Sequence, residues 1–312
     1  MAKIYTMGEL LVEIMRTEKD KPLDAPDLFK GPFPSGAPAI FISAAAQLGN
    51  HAKIWGGVAN DKFGDLLLKR LTGDGVDVSA VHVAYTGATA VAFVAYDSSG
   101  DREFIFHLDG TPAADIAFTE TGDIPDFFHV MGCSLTINDR VKAEIEHACS
   151  YFSAAGAKIS FDPNIRPSLL RDRGIISITG KVMECCSVFL PALDELTLFS
   201  EGRTGLEEAA AFLLERFSNL EIIHIKLGKR GSRIITRETD IEIPIYPIEK
   251  KYPIVDPTGA GDSFDAAFVS GIAAGMSLVD AGKLAAKAGA INSTVLGPMS
   301  GDIKNNINRE LV

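Results

Sequence analysis

The stretch 256-DPTGAGDSFDAAFVSGI-272 determines how the rest of this chain is interpreted. Gly259 and Gly261 stand just before Asp262, and apolar residues then recur at helical spacing over 264–272. This pattern predicts a helix that begins at a glycine-rich turn. Such a turn directs unpaired backbone N–H groups and the positive end of the helix dipole at one point, where an anion is stabilised. The stretch therefore predicts an anion site with a carboxylate beside it.

Asp262 has two interpretations. It is an ordinary helix N-cap, or it is a general base that takes a proton from an acceptor hydroxyl. A second carboxylate, Asp256, and the hydroxyl of Thr258 precede the two glycines, and an N-cap alone does not require them. A carboxylate beside an anion hole is the combination that phosphoryl transfer needs.

The composition is that of a soluble globular protein. The 312 residues are 46% hydrophobic and 23% charged, and the formal net charge of −11 argues against binding nucleic acid. No apolar run reaches the eighteen or so residues that span a bilayer. Charged residues within 1–16 interrupt any signal-peptide core, and the four cysteines have no metal-binding spacing. We expect a cytoplasmic protein that has no membrane or nucleic-acid partner.

The first third of the chain predicts strands and two helices. We expect one strand over 1–16, a loop or edge strand over 17–34, and a helix over 35–49 that starts at a glycine. A second helix is expected from Asn60 or Asp61 to Leu71, ending at Gly73. Two β-rich runs joined by the polar residues 97–101 then predict a β-hairpin, which could form a small sheet with the first strand.

From about residue 126 the pattern becomes regular. Short apolar runs at 128–131, 158–161, 187–190 and 222–227 alternate with helical stretches. This alternation predicts a mostly parallel sheet covered by helices on both faces. In such sheets ligands bind at the carboxyl ends of the strands, where this sequence places several polar clusters.

The residues quoted above resemble a known family. DPTGAGDSFDAAFVSGI is similar, nearly position for position, to the C-terminal signature of the ribokinase-like, or PfkB, carbohydrate kinases. Four stretches before this signature also occur in the order in which that family has related motifs: PSGAPA, GGVANDKFGD, FDPNIR and IKLGKRG. The resemblance therefore covers essentially the whole chain. It implies a single domain over 1–312 with an α/β ribokinase-like fold. That fold has a three-layer α/β/α core, a mostly parallel central sheet and a small β-sheet lid formed by about 10–34 and 86–112.

The resemblance also implies roles for individual residues. It implies that Asp262 is the catalytic base, with an anion hole formed by the N–H groups of Gly259, Ala260 and Gly261. The implied nucleotide-binding residues are Lys226, Gly228, Gly231, Thr258 and Asn292. The implied sugar-binding residues are Glu13, Ser35, Gly36, Ala37, Asn164 and Arg166, and His107 on the hairpin is a further candidate. Glu195 would organise Mg²⁺ through water, and Asp256 would belong to a site for a monovalent cation such as K⁺.

The sequence departs from the family pattern at positions that bear on the sugar. Ser35 replaces the first glycine of a GG pair, and Ile40 replaces an Asn that holds sugar hydroxyls in many members. Ala192 stands where an Asn commonly precedes the magnesium-organising Glu. The run FHLDGTPAA, which ends the hairpin, also lacks the Arg that often follows the aromatic residue in the keto-acid enzymes, and this argues against a carboxylated substrate.

The resemblance implies an ATP-dependent sugar kinase that phosphorylates a primary hydroxyl. The subgroup is similar to tagatose and ketohexose kinases or to 2-keto-3-deoxygluconate kinases, and the substrate expected is a ketohexose such as tagatose or fructose. Alternatives are a 2-dehydro-3-deoxygluconate kinase, a nucleoside kinase of the same fold, and a catalytically silent sugar-binding regulator. The resemblance also implies ATP and Mg²⁺ as cofactors and a homodimer whose contact is made through the lid.

Overall fold

The computed structural model describes residues 1–98, 102–165 and 174–311. The strands within these residues are β1 Lys3–Met7, β2 Leu11–Arg16, β3 Phe29–Ser35, β4 His51–Ala59, β5 Val76–Asp77, β6 Val81–Ala84, β7 Ala90–Tyr96, β8 Arg102–His107, β9 Phe127–Met131, β10 Lys158–Asp162, β11 Cys186–Phe189, β12 Ile222–Lys226, β13 Ser232–Ile235 and β14 Asp240–Ile243. The α-helices are α1 Ala37–Gln47, α2 Lys62–Asp74, α3 Gly132–Leu135, α4 Asp139–Ala154, α5 Ile175–Cys185, α6 Leu193–Phe199, α7 Leu206–Arg216, α8 Ala260–Ala273, α9 Leu278–Ser293 and α10 Ile303–Asn306. No helix within the described residues is both long and apolar enough to cross a bilayer.

The main sheet has ten strands. Their order is β14-β13-β12-β11-β10-β9-β1-β4-β5, and β6 also pairs with β4. Every pair from β12 to β5 is parallel, and only β13 and β14 at one edge run antiparallel to their neighbours. The mostly parallel sheet predicted from the alternating pattern is confirmed.

Helices cover both faces of this sheet. One buried cluster packs α4, α5 and α7 against the sheet, and Phe152 lies against Trp55 with ring centroids 5.9 Å apart. A second cluster packs α1, α2, α8 and α9 on the other face. The sheet with helices on both of its faces forms a three-layer core, in which α1 is buried along almost its whole length.

The prediction of one strand over 1–16 is wrong. The segment forms β1 in the main sheet and β2 in a separate small sheet, and the chain crosses between them at Gly8. A Cβ atom at Gly8 would lie 2.4 Å from both Pro38 Cγ and Ser134 Oγ. The chain passes too close to these side chains for any larger residue, and the alternating pattern does not reveal this approach.

The small sheet has the strand order β3-β2-β7-β8. β7 and β8 are antiparallel, in register from Val91 opposite His107 to Tyr96 opposite Arg102, which confirms the predicted hairpin. β3 lies at the edge of the sheet, as the prolines in 17–34 suggested. β2 joins the hairpin through a parallel pairing with β7, so the sheet links the amino terminus to the hairpin.

The two helices predicted in the first third of the chain are present. α1 follows Gly36, and α2 is capped by the Asp61 carboxylate, which accepts from the N–H groups of Phe63 and Gly64. The predicted end of α2 at Gly73 is two residues too early. Gly75, with φ of 97°, takes the left-handed position that ends the helix.

Candidate active site

The amino end of α8 lies between two cavities. Gly259 precedes the helix with φ of 77°, and a Cβ there would lie 2.4 Å from Pro298 O, so the turn requires glycine. Thr258, Gly259 and Asp262 line one cavity, whereas Ala260 and Gly261 line the other. The helix start is therefore the wall across which two ligands would meet.

The first cavity lies between the small sheet and the main sheet. Its volume is about 50 Å³, which leaves room for only one or two water molecules. The predicted residues Glu13, Ser35, Gly36 and Ala37 line it together with Asp262. The structure thus brings together most of the residues predicted to contact the sugar.

Ser35 holds the buried carboxylate of Glu13. The Ser35 hydroxyl donates to Glu13 Oε1 at 2.7 Å, and Glu13 is 6% exposed. The serine that stands at this position in place of the family's glycine therefore has a structural use, because it orients the Glu13 carboxylate at the wall of the first cavity. Gly36, with φ of 106°, is confined by Glu9 O, which a Cβ would approach to 2.4 Å.

Asn164 lies beside the predicted base. Its Nδ2 donates to Asp262 Oδ1 over 3.2 Å, and its backbone N–H donates to Asp162 Oδ1 over 3.1 Å. Asn164 has φ of 40°, a left-handed backbone that asparagine tolerates better than most residues. The prediction that places Arg166 near the sugar falls outside the described residues.

His107 does not line the cavity. Side chains alternate along β8, so Arg102, Phe104, Phe106 and Leu108 face the cavity while His107 lies exposed on the other face of the small sheet. Its ring packs edge-on against Phe93 with centroids 6.0 Å apart. The register of the hairpin, which the sequence left open, decides this placement.

Sequence reasoning missed several residues of the first cavity. Phe104, Phe106 and Arg102 alternate along β8, so the sequence could have placed all three on one face of the hairpin once the register was known. Glu9 also lines the cavity, and its carboxylate accepts a hydrogen bond from Ser134. Glu9 lies in the crossing between β1 and β2 and gave no sequence signal beyond its charge.

The loop before α8 is held by the Asp256 carboxylate, which is 2% exposed. Asp256 Oδ1 accepts from the Thr258 N–H at 2.9 Å, and Oδ2 accepts from the Gly297 N–H at 2.9 Å. Asn292 Nδ2 donates to Thr258 O at 2.8 Å, so Asn292 supports this loop rather than facing the second cavity.

Tyr96 reaches the same loop from the small sheet. Its hydroxyl donates to Asp256 Oδ1 at 2.9 Å and also contacts the Thr258 hydroxyl. Tyr96 is the last residue of β7 and faces the main sheet, opposite Arg102. No motif in the sequence pointed to this tyrosine.

The second cavity has a volume of about 570 Å³. Its walls are largely apolar, from residues such as Tyr246, Ile248 and Phe264, and Gly228, Gly231 and Lys226 lie at its edge. A large apolar cavity with a few polar groups is typical of sites for flat ring ligands. Of the anion-hole groups, the Ala260 N–H is engaged by Pro257 O at 3.2 Å.

Glu195 lies in the first turn of α6 and is 7% exposed. Its Oε1 accepts from the Ile165 N–H at 2.8 Å and its Oε2 from the Ala192 N–H at 2.7 Å. Burial, reinforced by the nearby Asp162 carboxylate, raises the pKa of Glu195. Among the described residues no three His, Cys, Asp or Glu side chains converge as ligands for a metal ion.

This fold and site are those of an α/β protein with two adjacent cavities at the start of one helix. A profile of the pfkB family of carbohydrate kinases matches residues 1–305. A fructokinase-1 from Oryza sativa subsp. japonica is 31% identical over 94% of this chain and 92% of its own length, and a fructokinase from Salmonella typhimurium is 28% identical over 96% and 95%. A crystal structure of a candidate ribokinase II from E. coli, in complex with ATP and Mg²⁺, superposes with a TM-score of 0.85 at 34% identity, covering 97% of this chain and 96% of that one.

The chain belongs to the pfkB family of carbohydrate kinases. It is therefore a phosphotransferase with the ribokinase-like fold, and the resemblance noted in the sequence is confirmed.

Proposed function

We propose that the protein transfers the γ-phosphoryl group of ATP to a primary hydroxyl of a ketohexose, fructose or tagatose. The observation that carries this proposal is the position of the α8 start between the two cavities, with Asp262 on one side and Gly261 on the other. ATP would occupy the large apolar cavity and the sugar the cavity beneath the small sheet. The relatives named fructokinase and the ATP-bound relative support both assignments.

The lining of the sugar cavity favours a neutral sugar. Glu9, Glu13 and Asp262 contribute three carboxyl groups, which accept hydrogen bonds from hydroxyls and repel an anionic substrate. Asp262 would take the proton of the attacking hydroxyl, and the N–H groups at the α8 start would stabilise charge on the moving phosphoryl.

Mg²⁺ fits this site only indirectly. Because both carboxylate oxygens of Glu195 accept backbone N–H groups, Glu195 would hold the ion through water, as the resemblance implies. When bound with ATP, the ion would neutralise charge on the phosphates. The Asp256 carboxylate already accepts hydrogen bonds from the Thr258 and Gly297 N–H groups and from Tyr96. Protein donors therefore hold the loop that K⁺ would order according to the resemblance.

One observation favours a second candidate. Arg102 lines the sugar cavity from β8, and a guanidinium there could pair with the carboxylate of 2-dehydro-3-deoxygluconate. For that substrate, Arg102→Gln would raise KM about 10- to 100-fold, the usual loss for a hydrogen bond between charged groups. For a ketohexose the same substitution would change KM much less.

A coupled assay of ATP consumption tests these proposals. The panel contains fructose, tagatose, aldoses, 2-dehydro-3-deoxygluconate and adenosine, each with Mg²⁺ and with or without K⁺. We expect turnover that depends on fructose or tagatose. Turnover only with the keto-acid would establish the second candidate, turnover only with adenosine would make the protein a nucleoside kinase, and no dependence on any acceptor would reject the proposal.

We further propose a cytoplasmic homodimer that associates through the outer face of the small sheet. Phe29 is 37% exposed and Ile105 is 43% exposed on that face, which a second copy would cover. The four cysteines are free thiols, as in proteins of a reducing compartment. Sedimentation of the wild-type protein and of Ile105→Glu tests the interface. We expect the wild type to sediment as a dimer and the variant as a monomer, because the introduced charge should dissociate the dimer. A wild type that sediments as a monomer would contradict the proposal.

A further inference from the structure

Lys226, at the carboxyl end of β12, is partly exposed to the second cavity and pairs with two buried carboxyl groups. Its Nζ is 2.9 Å from Asp162 Oδ2 and 2.8 Å from Asp265 Oδ2. Asp162 is 3% exposed and Asp265 is fully buried. The ammonium is thus held by two carboxyl groups at the edge of the second cavity, where the sequence predicted a residue that lies along the nucleotide.

The opposite charges of these three side chains offset one another. Burial alone would lower the pKa of Lys226. The carboxyl groups of Asp162 and Asp265 raise it instead, so the ammonium stays charged. Burial, opposed by Lys226 and reinforced by the Asp162 carboxylate, raises the pKa of Asp265 well above its ordinary range. An ammonium between two carboxyl groups, with burial favouring the protonated form of Asp265, limits the uncompensated charge that is removed from water.

This group reaches the catalytic base by two routes. Asp162 Oδ1 accepts the backbone N–H of Asn164 at 3.1 Å, and Asn164 Nδ2 donates to Asp262 Oδ1 at 3.2 Å. Asp265 lies one helical turn beyond Asp262 on α8. The ammonium therefore ties the ends of β10 and β12 to the first turn of the helix that carries the base.

We propose that Lys226 is a positioning residue for the kinase reaction. Its ammonium fixes Asp162 and Asp265, and through them it holds Asn164 and the start of α8 so that Asp262 faces the sugar cavity. It does not act as a phosphate-binding cation. This inference rests on the proposed kinase function.

The test compares Lys226→Met with the double variant Lys226→Met/Asp162→Asn. The single variant leaves a buried carboxylate without its cation and releases Asn164. We expect kcat to fall about 10- to 100-fold, the usual effect of a misplaced catalytic group, while the Kd for ATP changes less than about threefold. The double variant removes both charges and keeps an acceptor oxygen for the Asn164 N–H. We expect it to regain a large part of kcat.

Lys158→Met is the matched control. Lys158 lies at the other end of β10 and also pairs with a carboxylate, 2.5 Å from Glu221 Oε2, but on the surface far from the α8 start. Its kcat should equal that of the wild type. Thermal unfolding of every variant checks that it folds. If the single variant does not fold, kcat and the Kd for ATP are compared between the double variant and the wild type.

The contrary results are specific. A direct phosphate contact would weaken the Kd for ATP more than about tenfold in both variants, because a charged hydrogen bond is lost in each. An unchanged kcat in Lys226→Met, or no recovery in the double variant, would also overturn the positioning role. If the wild type showed no sugar-dependent ATP turnover, the kinase proposal itself would fail, so the two failures are distinguishable.

Discussion

At the scale of single residues, the position of Asp262 argues against one of the two interpretations that its sequence context left open, that of an ordinary N-cap. It lies in the first turn of α8, where a carboxylate interacts favourably with the helix dipole. It also lines the sugar cavity and accepts a hydrogen bond from Asn164. Because Gly259 rather than Asp262 occupies the N-cap position, the carboxylate is not needed to cap the helix, and the proposed role as general base would explain its placement.

Asp262→Asn tests that role. The amide keeps the size and the acceptor oxygen of the side chain but cannot take a proton. We expect kcat to fall about 10²- to 10⁴-fold while the Kd for ATP and the thermal stability stay near the wild-type values. Steady-state kinetics with the preferred sugar and an ATP titration measure this.

Glu215→Gln, an exposed carboxylate on α7, is the matched control for that substitution. It should turn over at the wild-type rate. If Asp262→Asn kept more than about a tenth of wild-type turnover, another group would have to be the base.

At the scale of elements, the small sheet covers the sugar cavity closely. Because the cavity volume of about 50 Å³ is smaller than a hexose, we expect the sheet to move outward when a sugar enters. Tyr96 joins the sheet to the loop that precedes α8 through its hydrogen bond to Asp256. Closure of the sheet is therefore linked physically to the loop that shapes the anion site.

Tyr96→Phe removes only the hydroxyl that makes this link. A hydrogen bond to a carboxylate contributes about 1.5–3 kcal/mol, so the closed arrangement should be populated less. We expect KM for the sugar to rise at least about tenfold, with a smaller change in the Kd for ATP measured in the absence of sugar.

Tyr85→Phe is the control for Tyr96→Phe. Tyr85 is 87% exposed and lies outside both cavities, so its kinetics should match the wild type. Equal KM values for the sugar in wild type and Tyr96→Phe would show that the hydroxyl does not contribute to closure.

At the scale of the whole molecule, the two cores bury polar side chains that must stay neutral. His224 on β12 is fully buried between Phe264 and Phe268, with ring centroids at 4.7 and 4.2 Å. Burial lowers the pKa of His224 from 6.5 to about 3. His129 on β9 is also fully buried, and burial lowers its pKa to about 3.

These histidines should make folding sensitive to acid. Below pH 6.5 the unfolded chain binds protons at His224 that the folded protein does not, so the free energy of unfolding decreases as the pH falls from about 6.5 towards 3. Between pH 7.5 and 5.5 the loss is about 1.4 kcal/mol for each buried histidine. Urea unfolding at the two pH values measures it.

His224→Gln should reduce the overall stability but remove its own share of this pH dependence. His82→Gln, at an exposed position on β6, should leave the pH dependence as it is in the wild type. If His224→Gln and the wild type lost the same free energy of unfolding between pH 7.5 and 5.5, His224 would not be buried in its neutral form.

Much of the fold followed from local signals. The glycine-rich start of α8, the hairpin of β7 and β8, and the alternation of strands and helices after residue 126 each depend on neighbours along the chain, so periodicity and turn chemistry reveal them. The crossing at Gly8 did not follow, because it is set by Pro38 and Ser134, which are distant in sequence. The side of the hairpin that faces the sugar was likewise decided by pairing register.

The sequence by itself determined the class of chemistry. The order Asp256, Thr258, Gly259, Gly261, Asp262 predicts an anion site beside a carboxylate wherever that helix packs, since the required groups are adjacent in the chain. Only the tertiary structure decided what each distant group does. It turned His107 outward, brought Tyr96 to Asp256, and enclosed Lys226 between Asp162 and Asp265. These outcomes depend on packing and burial between segments many residues apart, and no local pattern encodes the electrostatic cost of an unpaired charge in the interior.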